Sequence, residues 1–256
     1  MKSFLAFFKK EFLDSIRSHK ALILIILFTA FGIMNPAIAK LTPWLLEIMA
    51  EELADSGMNI TVIEVDAFTS WQQFYKNIPM ALIAFVFIYS NIFTKEYESG
   101  TLILMLTKGL KRYKVVLSKL LLMLIMWTLG YYLCFGVTYI YTAYYWDNSI
   151  VNNLLFTSFN WYLFGVFVIS LVVLFSVIFK NISGVLLNTS FIVIIIYIIS
   201  LIPRLTNYMP TSLMNTGSLM IGIESYDIYI KTIIITLVLS LVSNVLSIIL
   251  FNKKEI

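Results

Sequence analysis

The sequence predicts an all-α integral membrane protein with six transmembrane helices. Of its 256 residues, 60% are hydrophobic and only 12% are charged, whereas soluble domains carry about 25% charged residues. A bilayer core about 30 Å thick needs roughly 20 apolar residues per spanning helix. Six runs fit this requirement: Ala21–Ala39, Ile78–Phe93, Val115–Tyr141, Trp161–Phe179, Val185–Ile202 and Thr232–Phe251. These runs are apolar on every face, which argues against the alternating strands of a β-barrel.

Residues 1–20 predict an amphipathic helix before the first span. One stripe of the helical wheel is apolar, with the basic residues mostly opposite; it holds Phe4, Leu5, Phe8, Phe12 and Ile16. Such a helix lies in the membrane interface with its Lys and Arg side chains towards anionic head groups. The alternative is a signal peptide, because Ala37-Ile38-Ala39 has the form of a cleavage site. We favour the interfacial helix, since this leader is too long and too rich in Phe for the basic start of a signal peptide.

Residues 40–77 form the longest segment predicted to lie outside the membrane, as an extracellular loop. Within it, the stretch Trp44–Ala54 sets Glu47, Glu51 and Glu52 against apolar positions and predicts an amphipathic helix, which Ser56-Gly57 would end. The rest of the segment is aromatic enough to rest at the outer interface. We interpret the segment as a cap over the helices, with a dedicated receptor domain as the alternative.

The distribution of Lys and Arg predicts the orientation of the chain, because positively charged flanks stay on the cytoplasmic side. With the N-terminus inside, the cytoplasmic segments hold 14 of the 18 basic residues, and only Lys40, Lys76, Arg204 and Lys231 lie outside. The outer segments hold nine acids instead. The sequence therefore predicts a multi-pass protein of the plasma membrane with both termini in the cytoplasm. The net charge of +4 is a topology signal and does not indicate nucleic-acid binding.

The segment 94–114, between the second and third spans, combines charges with helix breaks. Glu96 and Glu98 follow the span, Ser99-Gly100 breaks the helix, and Thr101 is expected to cap a new apolar one. After a second break at Lys108-Gly109, the third span begins with Lys111, Arg112 and Lys114, and Lys119 is expected to snorkel back to the interface. The pattern predicts a short helix across the inner membrane face, presented for docking. The alternative, which spacing alone favours, is a plain loop with basic anchors.

This segment, KEYESGTLILMLTKGLKRYKVVLSK, resembles the permease subunits of ABC-2 type ABC exporters, as do the N-terminal helix, the six spans and the long first outer loop. In that family a pattern of acids, Gly-Thr, Leu-Thr, Arg and a downstream Lys marks a cytoplasmic coupling helix. The matching residues here are Glu96, Glu98, Gly100, Thr101, Leu106, Thr107, Arg112 and Lys119. The chain departs from the pattern at Gly109, where proline is common, and at Met105, which replaces a leucine.

The resemblance implies a division of labour between chains. Two permease copies, or one copy and a near relative, pair around a central path, and each docks a separate ABC ATP-binding subunit on the segment from Glu96 to Lys114. ATP and Mg²⁺ would sit on that subunit, and this chain would bind no cofactor itself. Glu96 and Glu98 have two possible roles: they pair with a partner, or they brace Arg112 and Lys114 within the subunit.

A stripe of hydroxyl-bearing residues at helical spacing marks the third span. Its members are Thr128, Tyr131, Tyr132, Thr138, Tyr139 and Thr142. The stripe is a candidate lining for the path of a hydrophobic or amphipathic peptide, drug or lipid. We favour the alternative, in which these residues pack the helix against its neighbours. No acid or base is expected in the middle of a span, which argues against a proton- or ion-coupled carrier.

The residues that are missing exclude several kinds of site. His19 is the only histidine, so a multi-histidine metal site and a catalytic triad are not expected, and there is no glycine loop of the Walker type. Cys134 is the only cysteine and is interpreted as packing. The chain is therefore not expected to be an enzyme. Two other classes stay open: a membrane anchor or immunity-type subunit of an ATPase, and a channel or secondary transporter that works alone.

Overall fold

The computed structural model describes residues 2–54, 65–215 and 217–254, and within them every regular element is helical. Ten α-helices are present in these ranges: α1 (Lys2–Arg17), α2 (Lys20–Ala54), α3 (Ala67–Tyr89), α4 (Thr94–Glu98), α5 (Thr101–Thr107), α6 (Arg112–Tyr145), α7 (Leu154–Ile178), α8 (Ile182–Ser200), α9 (Gly217–Ile221) and α10 (Asp227–Lys253). Short 3₁₀ turns lie at Asn148–Ile150, Thr206–Tyr208 and Pro210–Met214.

Among the residues that the structure describes, six helical segments are long and apolar enough to cross a membrane, which confirms the predicted fold class. They are Lys20–Ile48, Ala67–Glu98, Arg112–Tyr145, Leu154–Ile178, Ile182–Ser200 and Asp227–Lys253. The second span starts earlier than the apolar run, because Asp66 caps α3 by accepting a hydrogen bond from the Thr69 backbone N–H at 3.0 Å. We call the side that carries α1, α4, α5 and the end of α10 the basic side of the bundle.

The first spanning helix is longer than the sequence suggested. α2 runs for 35 residues, about 52 Å at 1.5 Å per residue, and includes the stretch Trp44–Ala54. That stretch is therefore a continuation of the span and not a separate helix of an outer loop. The predicted break at Ser56-Gly57 lies outside the described residues.

α2 continues through both Pro36 and Pro43, and at Pro36 a side chain of a neighbouring helix replaces the lost backbone hydrogen bond. Pro36 has no N–H to donate to the carbonyl of Gly32, one turn earlier. The Thr138 hydroxyl donates to that Gly32 oxygen instead, at 3.1 Å, and accepts from the Asn35 side chain at 3.1 Å. These bonds join α2 to α6 deep in the bundle.

The core lies between α2, α3, α6 and α7 and is strongly aromatic. Trp127 of α6 makes edge contacts with Phe28 of α2 and Phe85 of α3, with ring centroids 5.9 and 5.5 Å apart. Its indole N–H donates to the Tyr162 carbonyl of α7 at 3.2 Å. One side chain thus contacts three neighbouring spans. By contrast, most side chains of α8 and α10 are at least partly exposed on this single chain.

Candidate functional site

On the basic side, three helices that are distant in the sequence meet at a buried lysine. Lys119 of α6 is only 1% exposed. Its ammonium donates hydrogen bonds to Glu11 Oε2 of α1 at 2.9 Å and to the Ile92 carbonyl at 2.6 Å. It also lies 2.9 Å from Glu96 Oε2 of α4, as an ion pair without hydrogen-bond geometry. The lysine therefore joins α1, α4 and α6.

Lys10 completes a ring of alternating charges. Its ammonium lies 2.7 Å from Glu11 Oε1 and 2.6 Å from Glu96 Oε1, so each carboxylate pairs with both lysines. We call Lys10, Glu11, Glu96 and Lys119 the ion ring. Partial burial lowers the pKa of Lys10, but its hydrogen bonds to Glu11 and Glu96 and their charges outweigh burial, and its pKa is raised overall. The ring is formally neutral, which limits the free-energy penalty of burying Glu11, Glu96 and Lys119.

Two further contacts hold α1 and the start of α2 against the end of α3. The hydroxyls of Ser15 and Tyr89 lie 2.8 Å apart. Lys20 donates to the Asn91 side-chain oxygen at 2.5 Å, with its ammonium over the Tyr89 ring. Together with the ion ring, these contacts couple the position of α1 to the segment that follows the second span.

The ion ring corrects two interpretations of the sequence. Lys119 does not snorkel to the interface but is buried, because two carboxylates and a carbonyl satisfy its ammonium inside the protein. Glu96 braces neither Arg112 nor Lys114, because Lys10 and Lys119 occupy both of its oxygens. Within the described part of the chain, Glu98 makes no ion pair and its side chain is exposed.

Sequence reasoning missed the face of α1 that contacts the bundle. The buried positions are Phe7, Glu11 and Ser15, at a spacing of four residues, whereas Leu5 and Ile16 of the predicted apolar stripe are exposed. The sequence did contain an indication of this face: Glu11 lies four residues from both Phe7 and Ser15, so the three side chains share one face of α1. Phe8 and Phe12 of the predicted stripe pack partly against the core, so α1 contacts the bundle along the face centred on Glu11 and along the neighbouring part of the stripe.

α5 is a short helix between two glycines in the left-handed region of backbone space. Gly100 has φ +65° and Gly109 has φ +87°, a conformation that costs other residues energy. Leu102 is buried against the bundle, whereas Ile103 and Leu104 are 47% and 62% exposed. Thr101 is the first helical residue rather than the cap, and its hydroxyl lies 2.9 Å from that of Ser99. Leu106 packs partly against the core, and the Thr107 hydroxyl donates to the Leu104 carbonyl at 3.0 Å.

The basic residues after α5 hold the ends of other helices. The Arg112 guanidinium donates to the carbonyls of Phe251, Asn252 and Lys254 at the C-terminal end of α10. A cation is favourable there because the helix dipole is negative at that end. Lys114 donates to the Ser3 hydroxyl of α1 at 2.7 Å. Lys111 is the N-cap residue of α6 and makes no side-chain cap bond.

Most hydroxyls of the candidate stripe on α6 join helices. Tyr131 is fully buried and donates to the Ser158 carbonyl of α7 at 2.8 Å. The hydroxyl of Thr128 donates to the Leu124 carbonyl within α6 and lies 2.9 Å from that of Tyr162, and Thr142 pairs with Ser70 at 2.7 Å. Thr138 makes the bonds to α2 described above. Only Tyr132 and Tyr139 are substantially exposed, so the stripe does not form one continuous lining.

The fold and this site define a class: a multi-pass helical membrane protein with a short exposed helix tied through an ion ring to an amphipathic N-terminal helix. Residues 5–256 match the model of a family described as ABC-2 family transporter protein. The chain belongs to this family, which confirms the resemblance seen in the sequence and makes it an ABC permease, a membrane subunit that is generally not an enzyme. A search of curated proteins found no match. Permeases of this family typically work with an ABC ATP-binding subunit.

Proposed function

We propose that the chain is the transmembrane subunit of an ATP-driven exporter. In this proposal it moves a hydrophobic or amphipathic molecule, such as a peptide, drug or lipid, outward across the plasma membrane. A separate subunit binds and hydrolyses ATP with Mg²⁺, and a second permease copy or a near relative completes the path. The basic side faces the cytoplasm, together with both termini. The distribution of basic residues supports that orientation.

The observation that carries this proposal is the exposed apolar face of α5 beside the ion ring. Ile103 and Leu104 project from a helix of seven residues that belongs to no spanning segment. An exposed apolar pair in such a place suits a protein contact, because its burial by a partner is favourable. The left-handed glycines at both ends let α5 turn as a unit.

The contacts around α5 supply a route for movement from a docked ATPase to the spans. A displacement of α5 is transmitted through Gly100 to α4. There Glu96 forms ion pairs with Lys10 of α1 and Lys119 of α6. Because Glu11, Glu96 and Lys119 are buried and each carboxylate has two lysine partners, α1, α4 and α6 move together rather than separately. The proposed role of the ion ring is thus to convert a displacement of α5 into a tilt of the third span.

Purification of the tagged chain from its native membrane in a gentle detergent tests the docking surface. A stoichiometric ATP-binding subunit is expected with the wild type and lost from the double variant I103D/L104D, because two charges then occupy the apolar contact. Both substitutions leave the ion ring intact. The control is Ile223→Asp, since Ile223 is 76% exposed and lies between α9 and α10.

Two results would contradict the proposal. If the ATP-binding subunit copurified with I103D/L104D in the same amount as with the wild type, α5 would not be the docking surface. If the wild-type chain emerged alone at native expression with its fold intact, an autonomous channel or transporter would be favoured. ATPase copurification without any substrate-stimulated transport would favour a membrane anchor or immunity-type subunit.

Changes at Gly100 and Glu98 are expected to uncouple ATP hydrolysis from export. Gly100→Ala forces an L-residue into the left-handed region at about 1–2 kcal/mol and so re-aims α5, although the new Cβ meets nothing within 4 Å. Glu98→Gln removes an exposed charge available to a partner. We expect ATP hydrolysis to continue while uptake of a fluorescent amphipathic dye into inside-out vesicles falls several-fold. Gly136→Ala is the matched control, because its Cβ also meets nothing. Full dye transport by both variants would refute the assignment of this segment.

A further inference from the structure

A cavity of about 360 Å³ lies between α3, α7 and α8, away from the ion ring and from the stripe on α6. Its walls come from the middle of the three spanning helices, with Met214 added from the turn Pro210–Met214. Because all three helices are long and apolar enough to span a membrane, we expect hydrocarbon rather than water around a cavity at this depth. The lining residues are Pro79, Leu82, Ile83, Val86, Phe87, Trp161, Phe164, Val168, Leu186, Thr189, Ser190, Val193, Ile194 and Met214.

Two buried polar groups on the cavity wall have no partner in the described part of the chain. Trp161 is 2% exposed and Thr189 is 3% exposed. Neither the Trp161 indole N–H nor the Thr189 hydroxyl makes a hydrogen bond with any described residue. Buried donors are nearly always paired in folded proteins, so two unpaired ones on one cavity call for an explanation. By contrast, the indole N–H of Trp127 on α6 does have a partner, the Tyr162 carbonyl of α7.

The rest of the lining determines what the cavity accepts. Apart from these two groups and Ser190, every lining side chain is apolar, and none is ionisable. An ion inside would lose its hydration without gaining a counter-charge, which excludes charged ligands. Ile83, Phe87, Ser190 and Ile194 are exposed at the surface of the chain, so the cavity opens sideways between the spans.

We propose that this cavity binds an uncharged, mainly apolar molecule that carries one hydrogen-bond acceptor, such as a ketone, ester or amide oxygen. The acceptor oxygen of the molecule accepts hydrogen bonds from the Trp161 N–H and the Thr189 hydroxyl. Its apolar part fills the space between Leu82, Phe164 and Val193. The molecule enters from the bilayer between α3 and α8. As a binding site the cavity stands independently; as the transport site it rests on the exporter function proposed above.

Photolabelling with benzophenone tests the site directly, because the probe is uncharged, has a single carbonyl acceptor and attaches to nearby C–H groups on irradiation. The full chain in detergent is labelled over a concentration series, and the attachment positions are mapped by mass spectrometry. We expect saturable labelling of cavity residues such as Met214 and Leu186. Diphenylmethane lacks the carbonyl and therefore loses both hydrogen bonds, so it is expected to compete with labelling about 25-fold more weakly than a benzophenone analogue of the same size, at about five-fold for each bond.

Variants of the lining residues distinguish hydrogen bonding to the probe's carbonyl from non-specific hydrophobic binding. Trp161→Phe keeps the aromatic wall and removes the donor, so half-saturation is expected at an about five-fold higher concentration. Thr189→Val removes the hydroxyl at nearly the same shape and is expected to act in the same direction. Ser190→Trp narrows the opening and should abolish saturable labelling. Trp44→Phe, an exposed tryptophan on α2, is the matched control and should leave labelling unchanged.

The outcomes distinguish this inference from the exporter proposal. Labelling spread evenly over exposed apolar residues, and unaffected by Trp161→Phe and Ser190→Trp, would overturn the cavity as a binding site even if an ATP-binding subunit copurifies. Saturable cavity labelling in a chain that recruits no ATP-binding subunit would support the site and overturn its role in ATP-driven export. Reduced dye transport by Trp161→Phe, with ATP-binding subunit recruitment unchanged, would support both.

Discussion

Replacing Lys119 with methionine is expected to destabilise the protein by about 3–5 kcal/mol, the range for removing one partner of a buried ion pair. Lys119 is 1% exposed, and its ammonium contacts Glu11, Glu96 and the Ile92 carbonyl. Its loss leaves two buried carboxylates to share Lys10. A thermal unfolding series of the purified chain in detergent, followed by fluorescence or size-exclusion chromatography, measures the change.

The matched control for Lys119→Met is Lys95→Met. Lys95 pairs with Asp14 at 3.5 Å, but both side chains are at least half exposed, so this pair contributes about 0–1 kcal/mol. A double variant, Lys119→Met with Glu11→Gln, removes one of the stranded charges and is expected to recover part of the lost stability. Equal effects of Lys119→Met and Lys95→Met would show that the ion ring does not hold α1, α4 and α6 together.

Gly165→Ala is expected to destabilise the protein by about 1–3 kcal/mol, in the opposite direction to the usual effect of this change within a helix. A Cβ at Gly165 would lie 2.3 Å from Trp127 Cζ2, and Trp127 is held in place by α2, α3 and its bond to Tyr162. The ring cannot move without displacing the aromatic core. The same unfolding series measures the effect.

Gly136→Ala supplies the contrasting case for Gly165. Both glycines lie inside spanning helices, but a Cβ at Gly136 meets no atom within 4 Å. Replacing it with alanine is therefore expected to stabilise the helix by up to about 1 kcal/mol. The close packing of α6 against α7 predicts opposite signs for the two changes. Two effects of the same sign and size would contradict that packing.

Much of the architecture was predictable because the bilayer restricts what a chain can do. In hydrocarbon every backbone N–H and C=O must be satisfied within the protein, so long apolar runs become helices. The apolar runs do not give the ends of the helices. Trp44–Ala54 carries acids, which favoured a separate element, yet the helix continues through it because neither Pro36 nor Pro43 breaks α2.

The candidate site was only partly predictable. Ser99-Gly100 and Lys108-Gly109 marked the ends of α5, since glycine is the residue that tolerates a positive φ. The partners of Glu96 were not foreseen, because Lys10 lies 86 residues away in the sequence and its charge pattern also fitted a lipid contact. Nothing in the sequence predicted that the Trp161 N–H and the Thr189 hydroxyl would lack hydrogen-bond partners, since an apolar run does not indicate which of its faces borders a cavity.

The sequence by itself thus determined the number of spans, the family and the two breaks around α5, because each follows from local composition or a short motif. Only the tertiary structure decided that Lys119 is buried between Glu11 and Glu96, that Trp127 packs on Gly165, and that a cavity opens beside Trp161. These features depend on which helix faces are in contact. That choice is made by packing and charge pairing between segments far apart in the chain, and hydropathy along the sequence does not encode it.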